Sequence, residues 1–236
     1  MSAAGLLVFA RCAGFTFRAP AFSHPAVPRT LRAGIALVLA LAIAPSVHRA
    51  PLDGVLLVVA VAFEFALGTA IGMSASLLYD AAYAGGRMLD DYVGVKAIAP
   101  NVALVAPSGF GRVWSLAFTT GYLLLGAYRP VLLGFADSFV RVRPGMVVEA
   151  HAWSTFALTM VRTIVVSAAS VAGPAIAIAF VVQVTLAVLS RVIPRFSTFT
   201  LSFPLVFAAV LIVTAIALPV AVLRSAHPLL IVPGAR

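Results

Sequence analysis

Long uncharged, apolar runs alternate along the chain with short basic segments that contain prolines. The two longest runs, residues 163–190 and 196–223, each exceed the roughly 20 residues that a helix needs to cross a bilayer core. Shorter apolar segments bring the total to about six: residues 5–17, 33–44, 54–83 and 113–135. The pattern predicts an all-α membrane protein built from bent and kinked helical hairpins.

A basic turn separates the two longest runs. Arg191 and Arg195 bracket Pro194, and Pro204 lies where the last apolar run begins. Proline disrupts a helix interior and disfavours helical geometry in the residue before it. We therefore predict that the chain leaves one helix and starts another between residues 186 and 205, at the tip of a hydrophobic hairpin.

Other prolines predict breaks and bends. Pro20, Pro25 and Pro28 exclude a continuous helix between residues 18 and 32. Arg129-Pro130 is expected to bend the helix that starts at Val113 without ending its apolar pattern. Gly173-Pro174 would let the run from Trp153 to Ser190 kink or fold back midway.

Residues 54–83 form the longest segment that the pattern predicts as an unbroken helix, and this segment contains an acid. Small and polar residues recur there every four positions, on one face: Ala60, Glu64, Gly68, Gly72 and Ser76. Glycines at this spacing let another backbone approach closely in a membrane. Glu64 belongs either to a packed seam, neutralised by an arginine or by backbone groups, or to an ion or proton path. Arg162, within a later apolar run, is one candidate partner.

The uncharged segment from Ala99 to Gly111 is interrupted by two prolines and two glycines, which prevent a regular membrane helix. Irregular backbone at membrane depth is tolerated only inside protein or beside a water-filled cavity. Such a loop suits the lining or plugging of a pore, and an ordinary surface loop is the alternative.

Composition excludes a water-soluble globule. Hydrophobic residues make up 63% of the chain and charged residues 10%, and the mean hydropathy is +1.12. The net charge of +9 comes from arginines placed between apolar runs. That placement favours lipid head groups or an acidic partner, and no basic face interleaved with aromatics indicates nucleic-acid binding. Because no linker is evident, we predict one membrane domain, residues 1–236.

Candidate chemistry is sparse. The sequence has no zinc-protease, nucleotide-binding or serine-hydrolase motif, its four histidines lack metal-ligand spacing, and Cys12 is its single cysteine. We predict neither an enzyme nor a cofactor or metal site.

The turn LSRVIPRFSTFTLSFPL resembles the signature LLNR-x-x-PQ-x-N-x-F-x-x-GFPL of the flagellar biosynthesis protein FliR and its type III secretion counterparts, the FliR/SctT-like family. The matching residues are Leu189, Arg191, Pro194, Phe199, Phe203, Pro204 and Leu205. The family's Gln, Asn and Gly are replaced here by Arg195, Ser197 and Ser202. These replacements change what the turn can contact.

Upstream segments resemble the same family in order and spacing. The family's R-x-x-G…P…VP-x-x-x-R segment is matched by Arg11, Gly14, Pro20, Val27, Pro28 and Arg32. Its E-x-x-x-G-x-x-x-G helix is matched by Glu64, Gly68 and Gly72, and its AG…G…P stretch by residues 84–100. The resemblance covers nearly the whole chain.

The resemblance implies a non-catalytic subunit of the type III export gate. Such a subunit assembles with FliP-like and FliQ-like proteins, together with an FlhB-like subunit, around a pore for unfolded substrates. It resembles a fusion of the first two partners, and much of the assembled complex stands outside the bilayer plane. The expected location is the bacterial inner membrane, as a multi-pass protein in lipid contact, in a flagellar basal body or an injectisome base. Without the resemblance, a small-solute transporter or ion channel with Glu64 and Arg162 in its pathway stays open.

The resemblance also implies two sets of functional residues. Helix packing and subunit contacts are expected at Glu64, Gly68, Gly72, Arg191, Pro194, Phe199, Phe203 and Pro204. A pore plug within residues 100–111 is expected to contain Pro100, Asn101, Val102, Leu104, Val105, Pro107, Gly109 and Phe110.

We predict that deleting Val102 to Ser108 makes the membrane leaky to ions while assembly survives, because the deletion would remove the plug and leave the helices. Ion leakage through membranes carrying equal amounts of wild-type or shortened complex, matched on native gels, measures the effect. An ion-tight deletion variant would contradict the plug assignment.

Overall fold

The computed structural model describes residues 3–23, 27–46, 54–93, 109–192, 198–224 and 231–233. Seven α-helices and one short 3-10 helix, but no strand, occur among these residues. The α-helices are α1 (Ala3–Arg18), α2 (Arg29–Ile43), α3 (Val55–Val93), α4 (Phe110–Leu124), α5 (Tyr128–Arg141), α6 (Ala150–Val192) and α7 (Thr198–Arg224). The short helix, Ala44–Ser46, follows α2 directly. The predicted all-α class is confirmed.

Two of these helices are long and apolar enough to cross a membrane. They are α3, with 39 residues, and α6, with 43 residues. The helices α4 and α5 meet the same criteria only together, as a bent pair, which raises the number of candidate spans to three. Length and composition thus support a membrane protein with bent helices.

Proline acts as predicted at the first break, because α1 ends at Arg18 and α2 begins at Arg29, directly after Pro28. The predicted bend at Arg129-Pro130 lies slightly earlier, at Gly126, whose φ is +71°. This left-handed backbone conformation favours glycine. Pro130 lies in the first turn of α5, where a missing N–H costs no helical hydrogen bond.

Residues 54–83 do not form the longest helix, because α6 is longer than α3. Helix α6 also continues through Pro174, so the chain does not fold back there, and a kink at Gly173-Pro174 stays a prediction. Pro174 is exposed, which leaves room for its ring, and long apolar flanks on both sides sustain the helix. Helix α3 also exceeds its predicted end at residue 83, because Gly85 and Gly86 pack closely against other helices without breaking it.

The predicted change of helix at the basic turn is confirmed, since α6 ends at Val192 and α7 begins at Thr198. Pro194 lies outside the described residues. Pro204 lies inside α7, so its predicted position at the start of the second helix is wrong. It is exposed there.

The chain divides into two compact units. Unit 1 comprises residues 1–77, 122–162 and 227–236, and unit 2 comprises residues 78–121 and 163–226. The core of unit 1 includes Val8, Cys12, Phe15, Leu67, Ile71, Val131 and Phe135. The core of unit 2 includes Leu89, Phe110, Trp114, Phe118, Ala175, Val206 and Val210. Both units contain parts of α3 and α6, and the single-domain assignment stays a prediction.

Candidate functional site

Helices α1 and α3 meet backbone to backbone in unit 1. A Cβ atom added at Gly68 would overlap the carbonyl oxygen of Arg11, and one added at Gly14 would overlap the carbonyl oxygen of Phe65. A Cβ at Gly72 would lie 2.7 Å from the carbonyl oxygen of Phe15. Only glycine fits at such contacts, because no side chain separates the helices. We call this contact the α1–α3 seam.

A buried ion pair lies at one end of the seam. The Nε atom of Arg11 donates to Glu64 Oε2 at 2.5 Å, and an Nη atom donates to Glu64 Oε1 at 3.1 Å. The Arg11 side chain is 0% exposed and the Glu64 side chain 2% exposed. This bidentate geometry matches the planar guanidinium to the carboxylate and gives strong charge-assisted hydrogen bonds.

Arg11 also binds the C-terminal end of α5. Its Nη atoms donate to the carbonyl oxygens of Ser138, at 3.0 Å, and Val142, at 2.9 Å. The last carbonyls of a helix lack partners within the helix and carry partial negative charge, so a cation is favoured there. The guanidinium carbon lies 4.3 Å from the centre of the Phe139 ring. Arg11 therefore joins three helices through one side chain.

Glu64 has a further hydrogen bond, to the turn after α5. The backbone N–H of Gly145, whose φ is +88°, donates to Glu64 Oε1 at 2.9 Å. Three N–H donors thus bind the carboxylate oxygens of Glu64. Among the described residues, these hydrogen bonds form a connected polar cluster, which can fix helix positions. We call Arg11, Glu64 and their backbone partners the polar lock.

The start of α4 forms a second site, in unit 2. Asp90, 2% exposed, accepts a hydrogen bond from the backbone N–H of Phe110 at 3.1 Å. A carboxylate at a helix N-terminus satisfies a free N–H and complements the helix dipole. A Cβ at Gly86 would overlap the backbone of Gly111, so α3 passes very close to the first turn of α4.

The predicted plug lies mostly outside the described residues: this applies to Pro100, Asn101, Val102, Leu104, Val105 and Pro107. Gly109 precedes α4, and Phe110 begins it. The Phe110 ring is buried, with its centre 5.4 Å from the Phe207 ring centre and 6.5 Å from that of Trp114. The end of the segment is therefore anchored in the core of unit 2.

The remaining predicted contact residues lie around the basic turn. Arg191 is exposed in the last turn of α6, and Pro204 is exposed in α7. Phe199 and Phe203 belong to α7, but their side chains, like Pro194 as a whole, lie outside the described residues. Among the described residues, no three His, Cys, Asp or Glu side chains group as metal ligands would.

Two residues of these sites could be assigned roles only from the structure. Arg11 rather than Arg162 pairs with Glu64, although 53 positions separate the two in sequence. The sequence contains one signal for this pairing: of its two glycine-containing motifs, one carries a positive charge, Arg11, and the other a negative charge, Glu64. Asp90 acts on a helix that begins 20 residues later, and no local pattern indicated it.

We predict that Gly68→Leu separates α1 from α3, because the new side chain would meet the Arg11 backbone. Overpacking of this kind costs at least about 1–3 kcal/mol. Thermal unfolding of the purified chain in detergent measures the loss. The matched control is Gly34→Leu in α2, since a Cβ at Gly34 meets nothing within 4 Å. Equal melting temperatures for Gly68→Leu and Gly34→Leu would contradict the close contact between α1 and α3 at Gly68.

We predict that Glu64→Gln and Arg11→Leu each destabilise the chain by about 3–5 kcal/mol, because each leaves a buried group without its partner. The double variant should lose clearly less unfolding free energy than the sum of the two single variants, because it no longer leaves a buried charge without its partner. Denaturant unfolding of the wild-type chain, the two single variants and the double variant gives the coupling free energy between Arg11 and Glu64. The control is Arg141→Leu, whose partner Asp137 is exposed, with an expected effect within about 0.5 kcal/mol. Additive losses of unfolding free energy in the double variant would contradict the coupling of Arg11 and Glu64 in the polar lock.

Comparison with known proteins places this chain in a family. Residues 2–228 match the family described as "Bacterial export proteins, family 1". The chain is 26% identical over 222 residues to the flagellar biosynthetic protein FliR of Aquifex aeolicus (strain VF5), covering 91% of this chain and 84% of that protein. It is 25% identical over 213 residues to FliR of Bacillus subtilis (strain 168), covering 86% and 81%. The resemblance predicted from the motifs is confirmed, and the chain belongs to family 1 of the bacterial export proteins.

Proposed function

We propose that this chain is a structural, non-catalytic subunit of the flagellar type III export channel. With FliP-like and FliQ-like subunits, and an FlhB-like neighbour, it would form the path by which unfolded substrates cross the bacterial inner membrane. The observation that carries the proposal is the family match along residues 2–228, with two flagellar FliR proteins among the relatives.

The polar lock supports a structural role. The charges of Arg11 and Glu64 are buried and used inside the chain, where they hold α1, α3 and the end of α5. A solute transporter or ion channel would need Glu64 to bind or pass an ion, and all of its described partners compete with that step. The structure therefore gives the transporter alternative no support.

The outer surface supports assembly with other apolar partners. Large apolar side chains are exposed on several helices, among them Val38 at 66%, Val55 at 79% and Ile216 at 69%. Large apolar side chains exposed in this number favour contact with lipid or with protein partners. In a membrane complex, lipid and neighbouring subunits would both cover such surface.

We further propose that residues 100–111 close the resting pore. Support comes from their uncharged, proline- and glycine-containing sequence and from the anchoring of the following helix by Asp90. An open pore wide enough for an unfolded chain would dissipate the proton gradient. A loop held firmly at its end by a buried hydrogen bond can occupy such a pore without unfolding α4.

Co-expression with the FliP-like and FliQ-like proteins of the same genome tests the proposal. We expect the three proteins to purify as one complex in mild detergent, and we expect cells without this chain to secrete no flagellar export substrate. The Gly34→Leu variant should restore secretion and Gly68→Leu should not. A stable, isolated monomer that binds a small solute, or normal secretion without the chain, would refute the export-channel function.

A further inference from the structure

A short segment outside the helices, residues 231–233, lines a cavity in unit 1. The cavity has a volume of about 570 Å³. Its other lining residues lie between residues 141 and 159, at the end of α5, in the turn after it and in the first turns of α6. Residues 231–233 therefore form one wall of this cavity, and we call them the strap.

A hydrogen bond and apolar packing hold the strap in place. The backbone N–H of Ile231 donates to Ser74 Oγ on α3 at 3.2 Å, across 157 positions of the sequence. Val232 packs against the core of unit 1, and Pro233 is buried. Because the strap is not helical, its position depends on these contacts.

Ser74 keeps a hydrogen bond when the strap leaves. Its side chain is buried, and the hydroxyl donates to the carbonyl oxygen of Ile71 at 2.8 Å. A hydroxyl has one hydrogen to donate, so toward Ile231 the Ser74 oxygen acts only as an acceptor. After opening, Ser74 retains its bond to Ile71, and the N–H of Ile231 binds water. Opening therefore avoids the main cost of breaking a buried hydrogen bond, which is a polar group left without a partner.

The polar lock of the same unit behaves differently. Displacing Arg11 or Glu64 separates two buried charges, which is strongly unfavourable. Opening the strap breaks a hydrogen bond between neutral groups and exposes the side chains of Val232 and Pro233. Segments with few buried contacts open locally before the rest of a structure unfolds. The strap is thus expected to open while the helices of unit 1 stay packed.

We propose that the strap is a detachable lid of the cavity in unit 1. It leaves Ser74 and opens the cavity while α1, α3 and the polar lock keep their positions. Val142 and Val148 line the same cavity and are 4% and 8% exposed. Strap opening therefore controls access to an apolar wall of unit 1. The strap would work in this way whether or not the chain joins an export channel.

Site-resolved hydrogen exchange of the unmodified full-length chain in mild detergent tests the lid. We expect the amide of Ile231 to exchange at least tenfold more slowly than in an unfolded chain, because it is bonded to Ser74. It should also exchange at least tenfold faster than the amide of Phe15, in the core of unit 1. Exchange of Ile231 at the unfolded rate would show that the strap is not seated. Exchange as slow as that of Phe15 would show that the strap opens only when the unit unfolds, and either result would overturn the proposal.

Removing the Ser74 hydroxyl tests the contact that holds the strap. We expect Ser74→Ala to speed exchange at Ile231 about three- to tenfold, the effect of one lost hydrogen bond, and to change exchange at Phe15 less than twofold. The matched control is Ser115→Ala, at a buried serine of unit 2 that also donates to a carbonyl of its own helix, with an expected change at Ile231 below twofold. Equal effects of the two substitutions at Ile231, or equal acceleration at Ile231 and Phe15 in Ser74→Ala, would overturn the lid.

Thiol labelling tests whether the strap controls access to the cavity. A Val148→Cys reporter is placed in a Cys12→Ala background, since Cys12 is the single cysteine of the chain. We expect Ser74→Ala to raise the labelling rate of this reporter by the same factor, about three- to tenfold, as it raises exchange at Ile231. A labelling rate that does not change with Ser74→Ala would overturn the control of cavity access by the strap.

Discussion

The buried ion pair between Arg11 and Glu64 is the interaction on which the described architecture of unit 1 depends. Two charges removed from water cost more than they return unless every remaining hydrogen-bonding position is also satisfied. Here the carbonyls of Ser138 and Val142 and the N–H of Gly145 complete the set. The pair therefore dictates where α1, α3 and the end of α5 lie, since displacing any one of them leaves a buried charge without a partner.

The ion pair lies beside the glycine contacts. Gly14, Gly68 and Gly72 let the backbones of α1 and α3 touch, and Arg11 and Glu64 make their bidentate contact, at 2.5 Å and 3.1 Å, next to them. The tight packing also excludes water from the charges, which strengthens the pair. The charged pair and the glycines thus both hold α1 against α3.

Other faces of several helices show the opposite arrangement, with apolar side chains left exposed. Exposed valines, leucines and isoleucines on α2, α3, α6 and α7 cannot stabilise a protein in water. They are consistent with a chain that completes its packing in a membrane, among partner subunits. Within unit 1, the polar lock fixes the positions of α1, α3 and the end of α5.

The sequence alone determined the class and the family of this protein. Apolar runs and composition specify membrane helices because hydrophobicity is a local property. The motif of the basic turn, from Leu189 to Leu205, together with the upstream spacing of Arg11, Glu64 and the glycines, indicated the export family. Helix ends were predicted less well, since Pro174, Pro204 and Gly85 lie inside helices that tertiary packing sustains. Only the tertiary structure decided that Glu64 pairs with Arg11 rather than Arg162, and that Asp90 caps α4. Partners 53 and 20 positions apart are chosen by how helices pack, and the sequence pattern within one helix carries no record of that choice.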